Sequence, residues 1–235
     1  MTAGPRARFV DLAAAEPGEA VVVVDVLRAF TTVPWLLAGG AARVVAVAER
    51  EHAVALARGP LAGALLAGEV GGRPLEGFDL GNSPSQVRAS DVTGRTVVHR
   101  TSAGTQGLVR TRGSALVLAA SFVNAAATVA TLAAARPATV TLVVTGASHG
   151  RDGDEDLACA ELIAARLAGR DPDPAPFLDR VGASDAGRLF AHDGPDWAPP
   201  ADLALALELD RFVQALVATP LDALDAVEVT PSVPA

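Results

Sequence analysis

Four polar islands interrupt an otherwise apolar chain, and each falls where an apolar run gives way to a turn. The first is VVVVDVLRAFTT, in which Asp25 ends a β-branched run and Arg28 follows three residues later. A carboxylate at a strand end either faces a cleft, where it can meet a ligand, or caps the next helix and pairs with Arg28. The second island, GEVGGRPLEGFDLGNSPSQV, sets Glu69, Glu76 and Asp79 among five glycines, with Asn82 and Ser83 at its end. Carboxylates spaced by glycine suit Mg²⁺, which takes oxygen donors in an octahedron and keeps several waters. Ser83 followed by Pro84 is also a helix start. The third, VVHRTSAGTQGLV, passes through Thr101, Ser102, Gly104 and Thr105 into a helical pattern. Amide groups at a helix N-terminus beside small hydroxyls can cradle a phosphate, and the same residue types also make an ordinary capped turn. The fourth is a pair: ASFVNAAA with Ser121 and Asn124, and VVTGASHGRDGDEDLACAE with Gly150, Arg151, Glu155 and Asp156. Asp154 to Asp156 complement a helix N-terminus, and Arg151 is either their ion partner or a ligand clamp.

Other chemistries are poorly served. His52, His99, His149 and His192 have no paired or HExxH spacing, so a zinc or histidine-nucleophile site is not indicated. Neither GxxxxGK[ST] nor a strand-linked GxGxxG occurs, which argues against nucleoside triphosphates and dinucleotides. The one cysteine, Cys159 in LACAELIAARL, reads as a small buried helix residue, and one cysteine makes no internal disulfide.

The elements that must position these islands alternate β-branched apolar runs with Ala/Leu-rich segments of helical period, the mark of an α/β fold. Strands are expected at Ala20–Asp25, Arg43–Ala48, Ala64–Ala67, Arg95–His99, Ala115–Ala119 and Thr139–Thr145. Helices are expected at Ala29–Ala38, Glu51–Arg58, Thr105–Arg110, Val123–Ala135 and Asp154–Ala168, with Pro34 disturbing the first. From Gly169 to Pro200, Asp, Pro and Gly dominate, which predicts peripheral loops around a short helix near Ser184–Ala191. Asp202–Val217 reads as a further helix and Val227–Val229 as an edge strand. Strand, loop and helix recur in both halves, so the expected architecture is one unit, 1–235, of two similar three-layer α/β/α lobes, roughly 1–110 and 111–235. A cleft between them would hold ligands at the carboxyl ends of the strands.

The 235 residues suffice for a substantial core, and half of them are apolar. No run approaches the roughly 20 uncharged apolar residues of a membrane span. Nineteen basic residues, all Arg, against 27 acidic ones give a net charge of −8, so neither nucleic acid nor a membrane surface is an expected partner. An anionic ligand needs a local cationic pocket. Thr2 to Arg8 has no apolar signal core, so the expected location is cytoplasmic. A homodimer is the default assembly.

Taken in order, the islands resemble the 2-phosphosulfolactate phosphatase (ComB-like) family. The resemblance rests on DVLRA at Asp25 to Ala29, GE at Gly68 to Glu69, EGFDLGNSP at Glu76 to Pro84, TSAGT at Thr101 to Thr105, SFVNA at Ser121 to Ala125, and GR followed by Glu155 and Asp156. It covers roughly Val21 to Leu167, and EGFDLGNSP is its most specific part. It implies two similar lobes around a cleft and Mg²⁺-dependent hydrolysis of a small anionic phosphate monoester, 2-phosphosulfolactate or a similar phosphorylated hydroxy-acid. On this reading Asp25, Glu69, Glu76 and Asp79 hold Mg²⁺, with Asp25, Arg28, Glu76 and Arg151 as catalytic groups. Thr101, Ser102, Gly104, Thr105, Ser121, Asn124, Asn82 and Ser83 would contact substrate. Many members carry Asn where this chain has Ala103. Aspartyl-phosphate phosphatases that open on a strand-end Asp need a second Asp two residues later; Leu27 stands there, which favours attack by an activated water. The alternative is a phosphate-binding module of the same fold without catalysis.

Overall fold

The computed structural model describes residues 4–147 and 150–233 of the chain. His149 therefore lies outside the described residues. Among them, ten strands form one mixed sheet: β1 (Arg6–Asp11), β2 (Ala20–Val24), β3 (Arg43–Val47), β4 (Leu65–Val70), β5 (Arg73–Pro74), β6 (Thr96–Arg100), β7 (Leu116–Ala120), β8 (Thr139–Val144), β9 (Ala215–Leu221) and β10 (Ala226–Ser232). The principal helices are α1 (Ala29–Ala38), α2 (Arg50–Arg58), α3 (Pro84–Arg88), α4 (Gly104–Thr111), α5 (Ala125–Ala135), α6 (Asp154–Leu167), α7 (Ala175–Ala183) and α8 (Pro200–Ala206). The class is α/β, as the alternating pattern requires.

Strand order is β1-β8-β2-β7-β9-β10-β3-β6-β4-β5. Two parallel sets, β1-β8-β2-β7 and β3-β6-β4, are joined by the antiparallel hairpin β9–β10, which pairs with β7 on one side and β3 on the other. The sheet is continuous, and β2 lies between β7 and β8, so strands from 1–110 and 111–235 interleave. It does not confirm two lobes divided near residue 110.

Two expectations for the C-terminal region are corrected. Asp202–Val217 is helical only as far as α8; Asp210 then adopts φ 53°, and its amide donates to the Phe122 carbonyl. Its carboxylate accepts from the Ala126 amide and pairs with Arg166. Captured in this way, the chain turns into β9. The run around Val227–Val229 is an interior strand, not an edge, because β9 and β3 supply partners on both sides. The sheet's edges are β1 and the two-residue β5, each with one partner, and β1 is exposed along most of its length. Between Gly169 and Pro200 the helix is α7, followed by a short 3-10 turn at Gly187–Phe190.

The sheet is curled. Five strand spacings separate β2 from β6, roughly 24 Å along a flat sheet, yet residues following both strands line one cavity. Helices α1 and α4 fill the concave side: Phe30, Val33, Leu36 and Leu108 pack with Val21 and Val23 of β2, Val44 of β3, Val97 of β6 and Val227 of β10 in one core. Phe122, Leu132, Leu162 and Ile163, from the β7–α5 region and α6, cover the opposite face of β2 and β8. Ala53 and Leu56 of α2 do the same for β3 and β6. Buried Cys159 belongs to the α6 layer. Helix α1 persists through Pro34, which cannot donate to the Phe30 carbonyl; that carbonyl accepts instead from Ser121 Oγ at 3.0 Å.

Candidate active site

Asp25 follows the last residue of β2, where the chain leaves the sheet and turns into α1. Its side chain is buried, and Oδ1 accepts from the Ala29 amide at 2.9 Å. Helix α4 comes so close that a Cβ on Gly104 would stand 2.7 Å from Asp25 Oδ2, so only glycine fits there. Burial pushes the Asp25 acid up to about 7. The Ala29 and Gly104 amides pull it down, while the fields of Glu69 and Glu155 raise it further.

Glu69 reaches the same place from β4. A Cβ on the preceding Gly68 would lie 2.0 Å from the Arg100 carbonyl oxygen, and this close approach sets the carboxylate against the loop after β6. There Oε1 accepts from the Ser102 amide at 2.6 Å and Oε2 from the Gly72 amide. Arg100 holds the Glu69 backbone from behind, donating to its carbonyl at 2.8 Å.

Arg28 is buried opposite these acids. Nη1 donates to Asp202 Oδ2 at 2.8 Å and to the Trp197 carbonyl at 2.7 Å, and Nη2 donates to the Gly72 carbonyl at 2.8 Å. The guanidinium lies 5.2 Å from the Phe190 ring centroid and 6.0 Å from that of Trp197. Five donors with three engaged leave two N–H groups for a ligand. Asp202 is fully buried, and its other oxygen accepts from the Ser83 hydroxyl (2.9 Å), the Ser85 amide (3.0 Å) and the Ser85 hydroxyl (2.6 Å). One carboxylate thus ties Arg28 to the Asn82–Ser85 turn. Asp202 belongs to no motif in the sequence, and the stretch just before it, expected to be peripheral, brings Trp197 and Pro199 to the site.

A cavity of ≈ 40 Å³ is lined by Asp25, Leu27, Arg28, Glu69, Gly71, Gly72, Asn82, Ser102, Ala103 and Arg151. A second cavity of ≈ 310 Å³ adjoins it, sharing Arg28 and Asn82 and walled by Pro74, Ser85, Gln86, Trp197 and Pro199. Of the expected site residues, the structure brings Asp25, Arg28, Glu69, Asn82, Ser102 and Arg151 together around the first cavity, with Gly104 against Asp25.

Others are used elsewhere. Glu76 is exposed in a surface groove with Arg50 and Arg58, and Asp79 accepts from the Leu66 amide at 2.8 Å; neither lines the Asp25 cavity. The hydroxyls of Thr101 and Thr105 are buried and each accepts from the other's amide, at 2.8 and 3.1 Å, so they lock the turn into α4. Ser121 and Asn124 form a reciprocal cap, with the Asn124 Nδ2 on the Ala119 carbonyl. Ser83 caps α3, and its hydroxyl is on Asp202. These side chains stabilise turns that carry the site, which is the other use the sequence allowed for them.

The first turn of α6 does more than complement a helix N-terminus. Asp154 pairs with Arg180, which holds its carboxyl below the usual range. Asp156 accepts from the Val26 amide at 2.7 Å and the Thr145 hydroxyl at 3.0 Å; burial, then Glu155 and Asp25, raise it well above the ordinary range. Burial also raises Glu155, whose Oε2 is enclosed with no hydrogen-bond partner among the described residues. Negative potential therefore accumulates behind Asp25.

Among the described residues, no three His, Cys, Asp or Glu side chains converge as a ready chelate. Mg²⁺ asks for less, since one or two carboxylates suffice when waters and a substrate phosphate complete the octahedron. Asp25 and Glu69 in one cavity, with an unpartnered Glu155 oxygen and strongly raised acids behind them, are a donor set that fits this ion.

Buried acids facing a guanidinium at the carboxyl ends of parallel strands define an α/β protein with a pocket for a small anion. The chain belongs to the 2-phosphosulpholactate phosphatase family, whose sequence profile matches residues 10–191. It is 38% identical over 165 residues to a probable 2-phosphosulfolactate phosphatase of Synechococcus sp. (strain RCC307), covering 70% of this chain and 66% of that protein. Over 150 residues it is 42% identical to the protein of the same description from Parasynechococcus marenigrum (strain WH8102), covering 63% and 62%. Over 203 residues it is 40% identical to that of Deinococcus radiodurans, covering 83% of each. The chain spans slightly less than two thirds of the length of the first two relatives. Among the described residues no helix is long and apolar enough to cross a membrane.

Proposed function

We propose that this chain hydrolyses the phosphate monoester of 2-phosphosulfolactate, or of a closely similar phosphorylated hydroxy-acid, by Mg²⁺-assisted attack of water. The observation that carries the reading is the single cavity in which Asp25 and Glu69 face Arg28, Asn82 and Arg151. Acids alone would repel a phosphate, and guanidinium groups alone would not need the acids.

Asp25 and Glu69 would hold Mg²⁺, which supplies positive charge to the phosphoryl oxygens and acidity to a bound water. Arg28 keeps two N–H groups free for the substrate while Asp202 and the Trp197 carbonyl fix its orientation, so little reorganisation is needed as charge develops. Arg151, at the rim, adds a second guanidinium that Glu155 attracts toward the pocket. The Ser102 amide and hydroxyl hold Glu69 in place and are used up in doing so. At −8 overall, the protein binds a multiply charged anion through this local focusing.

The test is phosphate release from a panel of phosphorylated hydroxy-acids, with Mg²⁺ and with EDTA. Selective, Mg²⁺-dependent release is expected. Release that EDTA does not affect overturns the metal reading, and an acyl-phosphate adduct trapped on Asp25 with beryllofluoride overturns attack by water. If nothing is hydrolysed while phosphate raises the melting temperature, the chain is a binding module.

A further inference from the structure

His99 is fully buried near the end of β6, opposite Ala46 of β3 and Ala67 of β4. The two small neighbours leave room for the imidazole beneath the turn that carries Asn82. His99 Nε2 lies 3.2 Å from Asn82 Oδ1. Burial keeps the ring neutral, pulling its pKa down to about 4, so it carries one proton. An amide oxygen only accepts, which puts that proton on Nε2. Among the described residues buried His99 Nδ1 has no partner, as a bare ring nitrogen there would have none. With Oδ1 engaged, the amide nitrogen of Asn82 makes no hydrogen bond to the described residues, and Asn82 lines both the cavity of Asp25 and Glu69 and its larger neighbour.

We propose that His99 is a positioning residue: its Nε2–H fixes the side-chain amide of Asn82 so that the NH₂ group is presented to the bound anion where the two cavities meet. The proposal rests on the anion occupying the Asp25 cavity and assigns His99 no contact with it. Released from His99, Asn82 could turn its oxygen toward the phosphate and repel it. A neutral donor at this junction grips an anion without competing with Glu69 for Mg²⁺.

Three measurements test this. In the metal-free protein, imidazole ¹⁵N spectra should show His99 protonated on Nε2 and bare on Nδ1; the opposite tautomer overturns the proposal. In phosphate-release assays, His99→Leu should raise KM on the order of tenfold with a smaller change in kcat. His99→Gln, whose amide N–H reaches a similar place, should restore most of that loss. In an Asn82→Ala background, His99→Leu should add little. Equal losses in His99→Gln and His99→Leu, or a full additional loss on top of Asn82→Ala, show a packing role only and sink the proposal. If wild type proves inactive, calorimetry with inorganic phosphate gives the same comparison, so failure of the phosphatase reading is separable from failure of this one.

Discussion

Asp25 makes the metal-free protein less stable as pH rises from 5 to 8, and the slope can be worked out. Its acid stands near 7 when folded against 3.8 for an ordinary Asp. Between those values the folded chain holds about one proton more than the unfolded chain, so stability is full below the lower value and is lost through the upper one. Each unit of displacement corresponds to about 1.4 kcal/mol, and the loss between pH 5 and 8 comes to about 2.5 kcal/mol. For a chain of this size that is a fall of about 5–10 °C in Tm. Raised Glu155 and Asp156 act with the same sign, whereas His99, lowered to about 4 by burial, acts with the opposite sign between pH 5 and 7, so the Asp25 share is read from the difference between wild type and a variant lacking the acid. The assay is urea unfolding in EDTA at pH 5, 6, 7 and 8 for wild type and Asp25→Asn. The variant should lose most of its own share of the slope and be the more stable protein at pH 8. Mg²⁺ should raise Tm more at pH 8 than at pH 5, because protons compete for the same oxygens. A slope from pH 5 to 8 that is the same in wild type and Asp25→Asn would refute the buried-acid argument.

Asp202→Ala strands the buried Arg28 guanidinium and frees the Ser83–Ser85 turn; unfolding should show a loss of about 3–5 kcal/mol. Gly104→Ala forces a methyl onto Asp25 Oδ2 and Ala29 Cβ, both 2.7 Å from the built position. It should cost about 1–3 kcal/mol in denaturant titration and lower phosphate release. Glu69→Gln should reduce Mg²⁺-dependent turnover on the order of 100-fold, while Glu76→Ala, at an exposed position, should leave it within about twofold. Equal effects of those two substitutions would place the acidic site elsewhere on the loop.

What the sequence made legible was local. β-branched runs and helical periods located most strands and helices up to α6, and the polar residues closing β2, β4 and β6 marked the rim of the cavity. Thr101, Thr105, Ser121 and Asn124 show the limit of that reading, since small polar residues at strand-to-helix crossings cap turns with the same groups that bind anions. Asp202 stands 174 residues from the arginine it holds, in a Pro- and Asp-rich stretch, and nothing in its neighbours announces that contact. The run from Asp202 to Val217 keeps a helical spacing of apolar residues, and the capture of Asp210 by Phe122, Ala126 and Arg166 turns the chain out of the helix and toward β9, which takes only its last three residues. Tertiary partners decided there, as they do wherever local preference is weak.

The hairpin β9–β10 also governs how the molecule can be made. The parallel sets on either side of it are complete by residue 144, so a growing chain carries β7 and β3 as open sheet edges for some seventy further residues of synthesis. Those edges, LVLAA and RVVAV, are apolar and templated for pairing with any strand at hand. Strands β9 and β10, which follow both sets in the chain, are the ones that seal both edges. Until then the half that carries Asp25 and the half that carries Glu69 have no sheet between them. Completion of the sheet, and with it of the ground between the two acids, therefore waits on a hairpin far along the chain from either of them.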